Sequence, residues 1–142
     1  MTIIEVQNEI VEEFSMLSEW MDRYSLLIEL GNELEGFHEE HRTDQNLIEG
    51  CQSRVWLYAR EEGGKIYFEA DSDAIIVKGI VALLIRVMNG RTPSELLESE
   101  LFFIDKISLK EHLSPTRSNG LVAMVKQMKM FALAYKTKME NQ

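Results

Sequence analysis

Cys51 has the clearest potential for chemistry in this sequence, because it is the only cysteine in the chain. It follows Glu49 and Gly50 in a turn-like stretch and precedes a run that reads as a strand. A single thiol cannot close an intramolecular disulfide, a Cys-x-x-Cys redox pair, or a multi-cysteine zinc or iron–sulfur site. Cys51 therefore acts alone as a nucleophile or carrier, acts with a thiol of another protein, or packs as a small buried hydrophobe.

The neighbours of Cys51 bear on its reactivity, because the thiolate is the nucleophilic form of the residue. An unperturbed thiol has a pKa of about 8.5, so only a small fraction is ionised at neutral pH. The carboxylate of Glu49, two residues earlier, would raise the pKa of Cys51 further. We therefore expect a resting thiol that reacts slowly until a partner supplies an activating environment.

The segment from His38 to His41 is a second cluster with possible chemistry, since it holds two imidazoles around Glu39 and Glu40. Imidazole and carboxylate groups can bind transition metals. The segment does not match the His-Glu-x-x-His pattern of zinc proteases, and it lies in a polar stretch without periodicity. We interpret it as a solvated loop and predict no metal site in this chain.

Hydrophobic periodicity predicts the helices that come before Cys51. Apolar residues recur every three or four positions over residues 3–30, and serines at 15 and 18 indicate two helices rather than one. Gly31 is the predicted stop of the second helix. Residues 31–45 then form a long polar connection towards the cysteine.

Alternation with a period of two predicts strands over residues 53–60 and 65–70, joined by a Gly-Gly hairpin loop. Because a two-stranded hairpin is marginally stable alone, we expect a third, short strand over residues 46–48 beside the first. Cys51 would then lie at the tip of a tight turn, with Gly50 at a position of positive φ.

The C-terminal half reads as mostly helical. Ser72 or Asp73 is the predicted N-cap of a largely buried helix that stops at residues 89–90. The last helix is predicted to start near Ser118 or Asn119 and to bury a face rich in Leu, Met and Val.

Length and composition fit one α+β domain over residues 1–142, with helices packed on a small three-stranded antiparallel sheet. The most apolar stretch, residues 74–85, is interrupted by Lys78 and Gly79 and is too short to span a bilayer. The N-terminal residues show no signal-peptide pattern. A lone cysteine without an export signal leads us to expect a cytoplasmic protein that does not associate with membranes.

The net charge of −9 argues against a nucleic-acid partner, because phosphate binding needs clustered Lys and Arg. The charge is unevenly distributed: residues 1–50 hold 13 acidic and two basic residues, whereas residues 51–142 are nearly balanced. The acidic half is either a solvated helical face or an electrostatic docking surface for a protein partner.

Three stretches are more specific than generic patterning: residues 48–57 (IEGCQSRVWL), 71–79 (DSDAIIVKG) and 112–121 (HLSPTRSNGL). With residues 90–93 (GRTP), their order and spacing resemble the SufE family, the sulfur acceptor partners of SufS-type cysteine desulfurases. The resemblance covers nearly the full chain, and the turn around Cys51 contributes most to it.

The resemblance implies an α+β fold similar to the iron–sulfur scaffold IscU, with the motif cysteine at a loop tip. It implies that Cys51 receives a sulfane sulfur from the desulfurase persulfide and carries it to the cluster assembly machinery. Asp73 and Arg117 would lie near the partner surface. Such a protein is an accessory sulfur-transfer protein rather than an enzyme, and the pyridoxal phosphate of the reaction belongs to the partner desulfurase.

Two other functions stay open on the residues alone. An iron–sulfur scaffold normally supplies several thiolates, which one cysteine per chain does not. A one-cysteine peroxidase or thiol sensor needs a low-pKa thiol with cationic neighbours, whereas Glu49 acts in the opposite direction. A carrier with a single cysteine avoids trapping its persulfide as a disulfide, and it is our leading hypothesis.

Overall fold

The structure is a computed structural model that describes the backbone of residues 1–141 and the side chains of all of these except 110, 112, 115 and 116. Helices pack around a two-stranded antiparallel sheet, so the predicted α+β class is confirmed. The elements, in chain order, are α1 (Ile3–Ser15), α2 (Trp20–Glu33), β1 (Val55–Glu62), β2 (Lys65–Ser72), α3 (Ile75–Met88), α4 (Pro93–Glu98), α5 (Phe103–Lys106), α6 (Leu109–His112) and α7 (Pro115–Glu140).

The two N-terminal helices form where periodicity predicted them, with a break between Ser15 and Trp20. Thr2 begins α1 with a capping box. Its hydroxyl oxygen accepts a hydrogen bond from the N–H of Glu5 at 3.1 Å, and the Glu5 carboxylate accepts one from the N–H of Thr2 at 2.9 Å. These bonds satisfy backbone N–H groups that a helix start otherwise leaves without a partner.

The prediction that Gly31 ends the second helix is wrong, because α2 continues to Glu33. Gly31 lies instead where α2 crosses α3, and there the two backbones touch. A Cβ on Gly79 would stand 2.1 Å from the carbonyl oxygen of Leu27, and a Cβ on Gly31 would stand 2.9 Å from the backbone nitrogen of Gly79. Both distances are too short for a side chain, so the crossing requires glycine at both positions.

β1 and β2 pair in an antiparallel register that runs from Val55 opposite Ser72 to Glu62 opposite Lys65. The loop between them is the predicted pair of glycines, with φ angles of 61° and 83°. Two-residue hairpin loops favour such positive angles because they match the twist of the strands. Alternate residues are buried against the helices along all of β2 and along β1 as far as Ala59, and most of the residues between them are more exposed. The last three residues of β1, next to the hairpin loop, are exposed.

The predicted third strand is wrong, because the sheet has two strands. One isolated bridge, between Leu47 and Trp56, forms where that strand was expected. Pairing does not extend further because Asp44–Asn46 is a 3-10 turn and Gly50, with a φ of 90°, redirects the chain. The predicted turn before β1 and the positive φ of Gly50 are confirmed.

Backbone and side-chain groups outside the strands close the edge of β2. The N–H of Gly90 donates to the carbonyl of Ile66, and the N–H of Ile66 donates to the carbonyl of Arg91, each at 2.8 Å. The side-chain oxygen of Asn89 accepts a hydrogen bond from the N–H of Phe68 at 2.6 Å. Residues 89–91, directly after α3, therefore satisfy backbone groups of β2 that would otherwise need a further strand.

The outer edge of β1 is bonded at two points. The N–H of Ile48 donates to the carbonyl of Val55 at 2.9 Å. Farther along, the hydroxyl of Tyr135 on α7 donates to the carbonyl of Ala59 at 3.1 Å. These bonds take the place of a neighbouring strand and explain why two strands suffice where a third was expected.

The last helix begins at Pro115, earlier than the predicted start near Ser118 or Asn119. The Ser114 hydroxyl oxygen accepts a hydrogen bond from the N–H of Arg117 at 3.3 Å, and proline occupies the first helical position. A capping serine followed by proline favours helix initiation. This earlier start places Arg117 in the first turn of α7.

Apart from Trp56, the buried apolar side chains of the described residues form one contiguous cluster, with contributions from all of the helices and both strands. Its largest fully buried members include Phe14, Ile80, Leu84, Leu96 and Phe103. None of the helices within residues 1–141 is both long and apolar enough to cross a bilayer.

Substitution of Gly79 tests the crossing of α2 and α3. Gly79→Ala should lower the free energy of unfolding by roughly 3 kcal/mol, because its Cβ must displace the backbone of Leu27. The measurement is the midpoint of urea unfolding. Gly120→Ala is the matched control, since Gly120 is also a buried glycine inside a helix but its Cβ would meet its nearest neighbour at an ordinary 3.5 Å. The control should be neutral or stabilising by up to about 1 kcal/mol; equal losses in both variants would contradict the interpretation.

Candidate functional site

Cys51 lies in the short loop between Leu47, which forms an isolated bridge to Trp56, and the start of β1. Helix α7 packs over this loop. The side chain of Cys51 is half-buried. The thiol donates a hydrogen bond to the carbonyl oxygen of Gly120, with 3.6 Å between sulfur and oxygen. The loop tip is therefore in contact with the helix rather than extended into solvent.

Gly120 packs directly against Cys51. A Cβ at this position would stand 3.5 Å from the sulfur of Cys51 and 3.9 Å from its Cβ, which is ordinary contact, so alanine would fit but a longer side chain would compete with the thiol for space. Glycine inside a helix costs about 1 kcal/mol relative to alanine. The sequence analysis did not single out Gly120; the signal available was a glycine inside an otherwise strongly helical stretch.

A cleft of about 350 Å³ opens beside the sulfur. Its walls combine apolar side chains with polar groups from the cysteine loop and the start of α7; they include Ser53, Val55, Val77, Ser114, Arg117 and Met124. A larger groove of about 580 Å³ lies between residues 45–50 and α7, but Cys51 does not line it. The smaller cleft is therefore the one that a molecule reacting with the thiol would enter.

The far end of the cysteine loop is tied to the start of α3. The Asp73 carboxylate accepts a hydrogen bond from the N–H of Arg54 at 3.1 Å, and the carbonyl of Arg54 accepts bonds from the N–H of Asp73 at 3.2 Å and the hydroxyl of Ser72 at 2.9 Å. The predicted capping role of Ser72 or Asp73 is wrong, because Ala74 is the N-cap and no side chain caps the helix there. Both side chains hold the loop instead.

The three site residues predicted from the sequence are not all in one place. Cys51 and Arg117 line the same cleft. Asp73 is exposed and does not line it, but it holds Arg54 at the end of the same loop. The structure thus places the cationic side chain of Arg117 on the cleft, and the anionic side chain of Asp73 where the cysteine loop is bonded to the start of α3.

Burial raises the pKa of the Cys51 thiol above its ordinary value. The expected direction was right, but the expected cause was wrong: the loop packs against α7, and desolvation rather than the charge of Glu49 disfavours the thiolate. Glu49 itself is exposed, where water screens its charge. At neutral pH the resting protein therefore holds Cys51 as the thiol.

Among the described residues, Cys51 belongs to no group of three or more ligand atoms that lie close enough together to hold a metal ion. In that part of the chain, the one group of three or more His, Cys or carboxylate ligand atoms within 4.8 Å of one another consists of His38, His41 and Glu69. The sequence analysis weighed the two histidines without Glu69, which belongs to β2.

Comparison with known proteins connects this geometry with a family. The sequence model described as "SufE: Fe-S metabolism associated domain" matches residues 8–132, a range that includes Cys51, Asp73 and Arg117. An uncharacterized SufE-like protein of Rhizobium meliloti is 40% identical over 127 residues, which covers 86% of this chain and 91% of the relative. Another, from Rhizobium etli, is 42% identical over 127 residues, with 86% of each chain covered.

Two further comparisons agree with these. An uncharacterized SufE-like protein of Synechocystis is 40% identical over 127 residues, which covers 89% of this chain and 80% of the relative. The solution structure of a hypothetical protein from Thermus thermophilus superposes with a TM-score of 0.76 and covers 93% of this chain and 96% of its own. At 23% identity, that similarity concerns the fold alone.

The pH dependence of alkylation tests the state of the thiol. The rate of reaction of native Cys51 with iodoacetamide should rise about tenfold per pH unit and level off only above about pH 8.5, because burial disfavours the thiolate. In the urea-unfolded chain the rate at about pH 7 should be at least threefold higher. A native midpoint below that of the unfolded chain would contradict the interpretation.

The same shift has a consequence for stability. Since the folded pKa lies above the unfolded pKa, the contribution of Cys51 to stability is present below the unfolded value and is lost as the pH rises through the folded value.

Proposed function

This chain belongs to the SufE family of iron–sulfur metabolism proteins, and from that premise we propose that it is a sulfur carrier. Cys51 accepts a sulfane sulfur from the persulfide of a SufS-type cysteine desulfurase, stimulates that enzyme by unloading it, and delivers sulfur to a downstream cluster assembly scaffold in the cytoplasm. The chain is an accessory protein rather than an enzyme. The transfer uses no cofactor held by this chain, because pyridoxal phosphate belongs to the desulfurase.

The transfer is an exchange of sulfur between thiols with no net oxidation or reduction. Cys51 first gives its proton to solvent or to a base on the partner. The thiolate attacks the terminal sulfur of the donor persulfide, the S–S bond of the donor breaks, and the donor cysteine leaves as a thiolate. The product is a persulfide on Cys51, whose terminal sulfur the next acceptor thiol removes by the same step.

The observation that carries this proposal is one half-buried thiol beside a cleft, in a chain with no second cysteine. A second thiol in reach would attack the persulfide, close a disulfide and release the sulfur as sulfide. The cleft has room for one added sulfur, whose bond to Cys51 is about 2.05 Å long. Val77 and Met124 give the cleft an apolar wall on which that sulfur could pack.

The same site gives little support to the two alternative functions. A scaffold would need further ligands beside Cys51, and the described residues supply no such group there. A peroxide sensor needs a thiol with a lowered pKa, whereas burial raises the pKa of Cys51. Slow reaction in the free state and activation by the partner suit a carrier, since the thiol is then spared from unrelated oxidants.

The desulfurase approaches, in this proposal, along the surface that holds Arg117 and Asp73. Both residues are exposed, and they stand on the two elements, α7 and the start of α3, that hold the cysteine loop. The acidic residues of the first 50 positions add a wider electrostatic surface, which would speed the encounter in a salt-dependent way.

Intact-mass measurement tests sulfur transfer directly. The protein is incubated with a pyridoxal-phosphate-dependent cysteine desulfurase and its substrate, free cysteine. No other thiol is added, because a reducing thiol would remove the transferred sulfur. We expect the mass of the chain to increase by one sulfur atom, and Cys51→Ser to show no increase.

Other outcomes would replace the proposal. An active desulfurase with no mass gain on this chain rules out the carrier role. Colour on addition of iron and sulfide, lost in Cys51→Ser, would favour a scaffold. Rapid formation of a sulfenic acid with dilute peroxide would favour a thiol sensor.

Charge substitutions test the proposed partner surface. Asp73→Asn keeps an oxygen for the N–H of Arg54 but removes the charge, and Arg117→Ala removes the cation on the cleft. Each should reduce stimulation of the desulfurase roughly threefold or more at low salt, while the free energy of unfolding changes by less than about 0.5 kcal/mol.

Arg60→Ala is the matched control for these variants, because Arg60 is an exposed cation on β1 that does not line the cleft. It should stimulate the desulfurase like the unmodified protein. Equal stimulation by all three variants would remove Asp73 and Arg117 from the partner surface.

A further inference from the structure

We propose that His38, His41 and Glu69 form a binding site for a late first-row divalent cation, with Zn²⁺ as the reference ion. The histidines belong to the connection between α2 and β1, and Glu69 belongs to β2. One ligand atom from each of the three lies within 4.8 Å of the others. The site is separate from Cys51 and does not rest on the proposed sulfur transfer.

The positions of the donor atoms suit an ion of this kind. Nδ1 of His38 lies 3.0 Å from Oε2 of Glu69, and Nδ1 of His41 contacts the other carboxylate oxygen, Oε1. In a tetrahedral zinc site with bonds of about 2.0–2.1 Å, neighbouring ligand atoms are about 3.3 Å apart. Small movements of the side chains would therefore convert these contacts into metal bonds. A water molecule can take the fourth position, because the His38 side chain is 66% exposed.

The ligands are held in place by groups that do not bind the ion. The Glu69 side chain is only 11% exposed and also accepts a hydrogen bond from the backbone N–H of His38 at 3.0 Å. The His41 ring stacks on Tyr58 with 3.6 Å between ring centroids and 14° between the planes. Oε1 of Glu40 lies 4.0 Å from Nε2 of His41, on the side where metal-bound histidines usually have an outer carboxylate.

The donor set also indicates which ions are excluded. Two imidazole nitrogens and one carboxylate oxygen favour Zn²⁺, Ni²⁺ and Cu²⁺. Ca²⁺ and Mg²⁺ prefer sites made of oxygen ligands, so they should not compete. A bound ion would hold the connection between α2 and β1 against the outer face of β2. The histidines that bind it lie a few residues before the loop that carries Cys51.

The experiment uses full-length protein without a polyhistidine tag in a Cys51→Ser background, so that no thiolate can contribute a ligand. Titration with Zn²⁺ by calorimetry should give one ion per chain, and Co²⁺ should give the visible absorption bands of a low-coordinate nitrogen–oxygen site. Glu69→Gln and His41→Phe should each weaken Zn²⁺ binding by at least about tenfold. His41→Phe keeps a ring to stack on Tyr58.

Glu62→Gln is the matched control, because Glu62 is an exposed carboxylate on the same hairpin and outside the site. It should bind Zn²⁺ as the parent does, and Zn²⁺ should raise the melting temperature of both but not that of Glu69→Gln. Circular dichroism verifies that each variant is folded. If Glu69→Gln does not fold, the comparison of His41→Phe with Glu62→Gln decides the outcome. Absence of stoichiometric binding by the parent, or equal binding by His41→Phe and Glu62→Gln, would overturn the proposal.

Discussion

The antiparallel pairing of β1 with β2 is the constraint on which the candidate site depends. Its register sets Val55 opposite Ser72 and thereby brings Arg54, at the end of the cysteine loop, against Asp73 at the start of α3. The outer face of the same pair carries Tyr58 and Glu69, which position the two histidines. Since two strands alone are marginally stable, the helices that pack on them are part of what orients the site.

The resting thiol is held by burial and by one weak hydrogen bond rather than by a charged partner. A sulfur–hydrogen donor to a carbonyl is a second-order interaction. Breaking the hydrogen bond from Cys51 to Gly120 therefore costs little, while the bonds of Arg54 to Asp73 and Ser72 would persist. A partner that offers a better environment for the thiolate would have to replace only this bond and the packing around the sulfur, which is consistent with the proposed transfer from a desulfurase.

Local patterns in the sequence predicted the four long helices α1, α2, α3 and α7, the hairpin and its glycine loop, and the turn that carries Cys51. Some errors were local, such as the start of α7 and the N-cap of α3, and others arose where segments far apart in the chain meet. Gly31 looked like a helix stop because its reason for being glycine is Gly79 on another helix. The raised pKa of Cys51 was attributed to a neighbour in sequence, whereas α7 causes it. Glu69 could not be joined to the histidines without the strand that presents it.

The bonded edges of the small sheet have a consequence for how the protein behaves among many copies of itself. An unpaired strand edge is a template on which strands of other molecules can assemble into insoluble aggregates. Here Gly90 and Arg91 occupy positions along one edge, and Ile48 and Tyr135 occupy positions along the other. The packing that orients the cysteine loop thus also guards the folded chain against edge-to-edge aggregation, and withdrawal of α7 from β1 would weaken both at once.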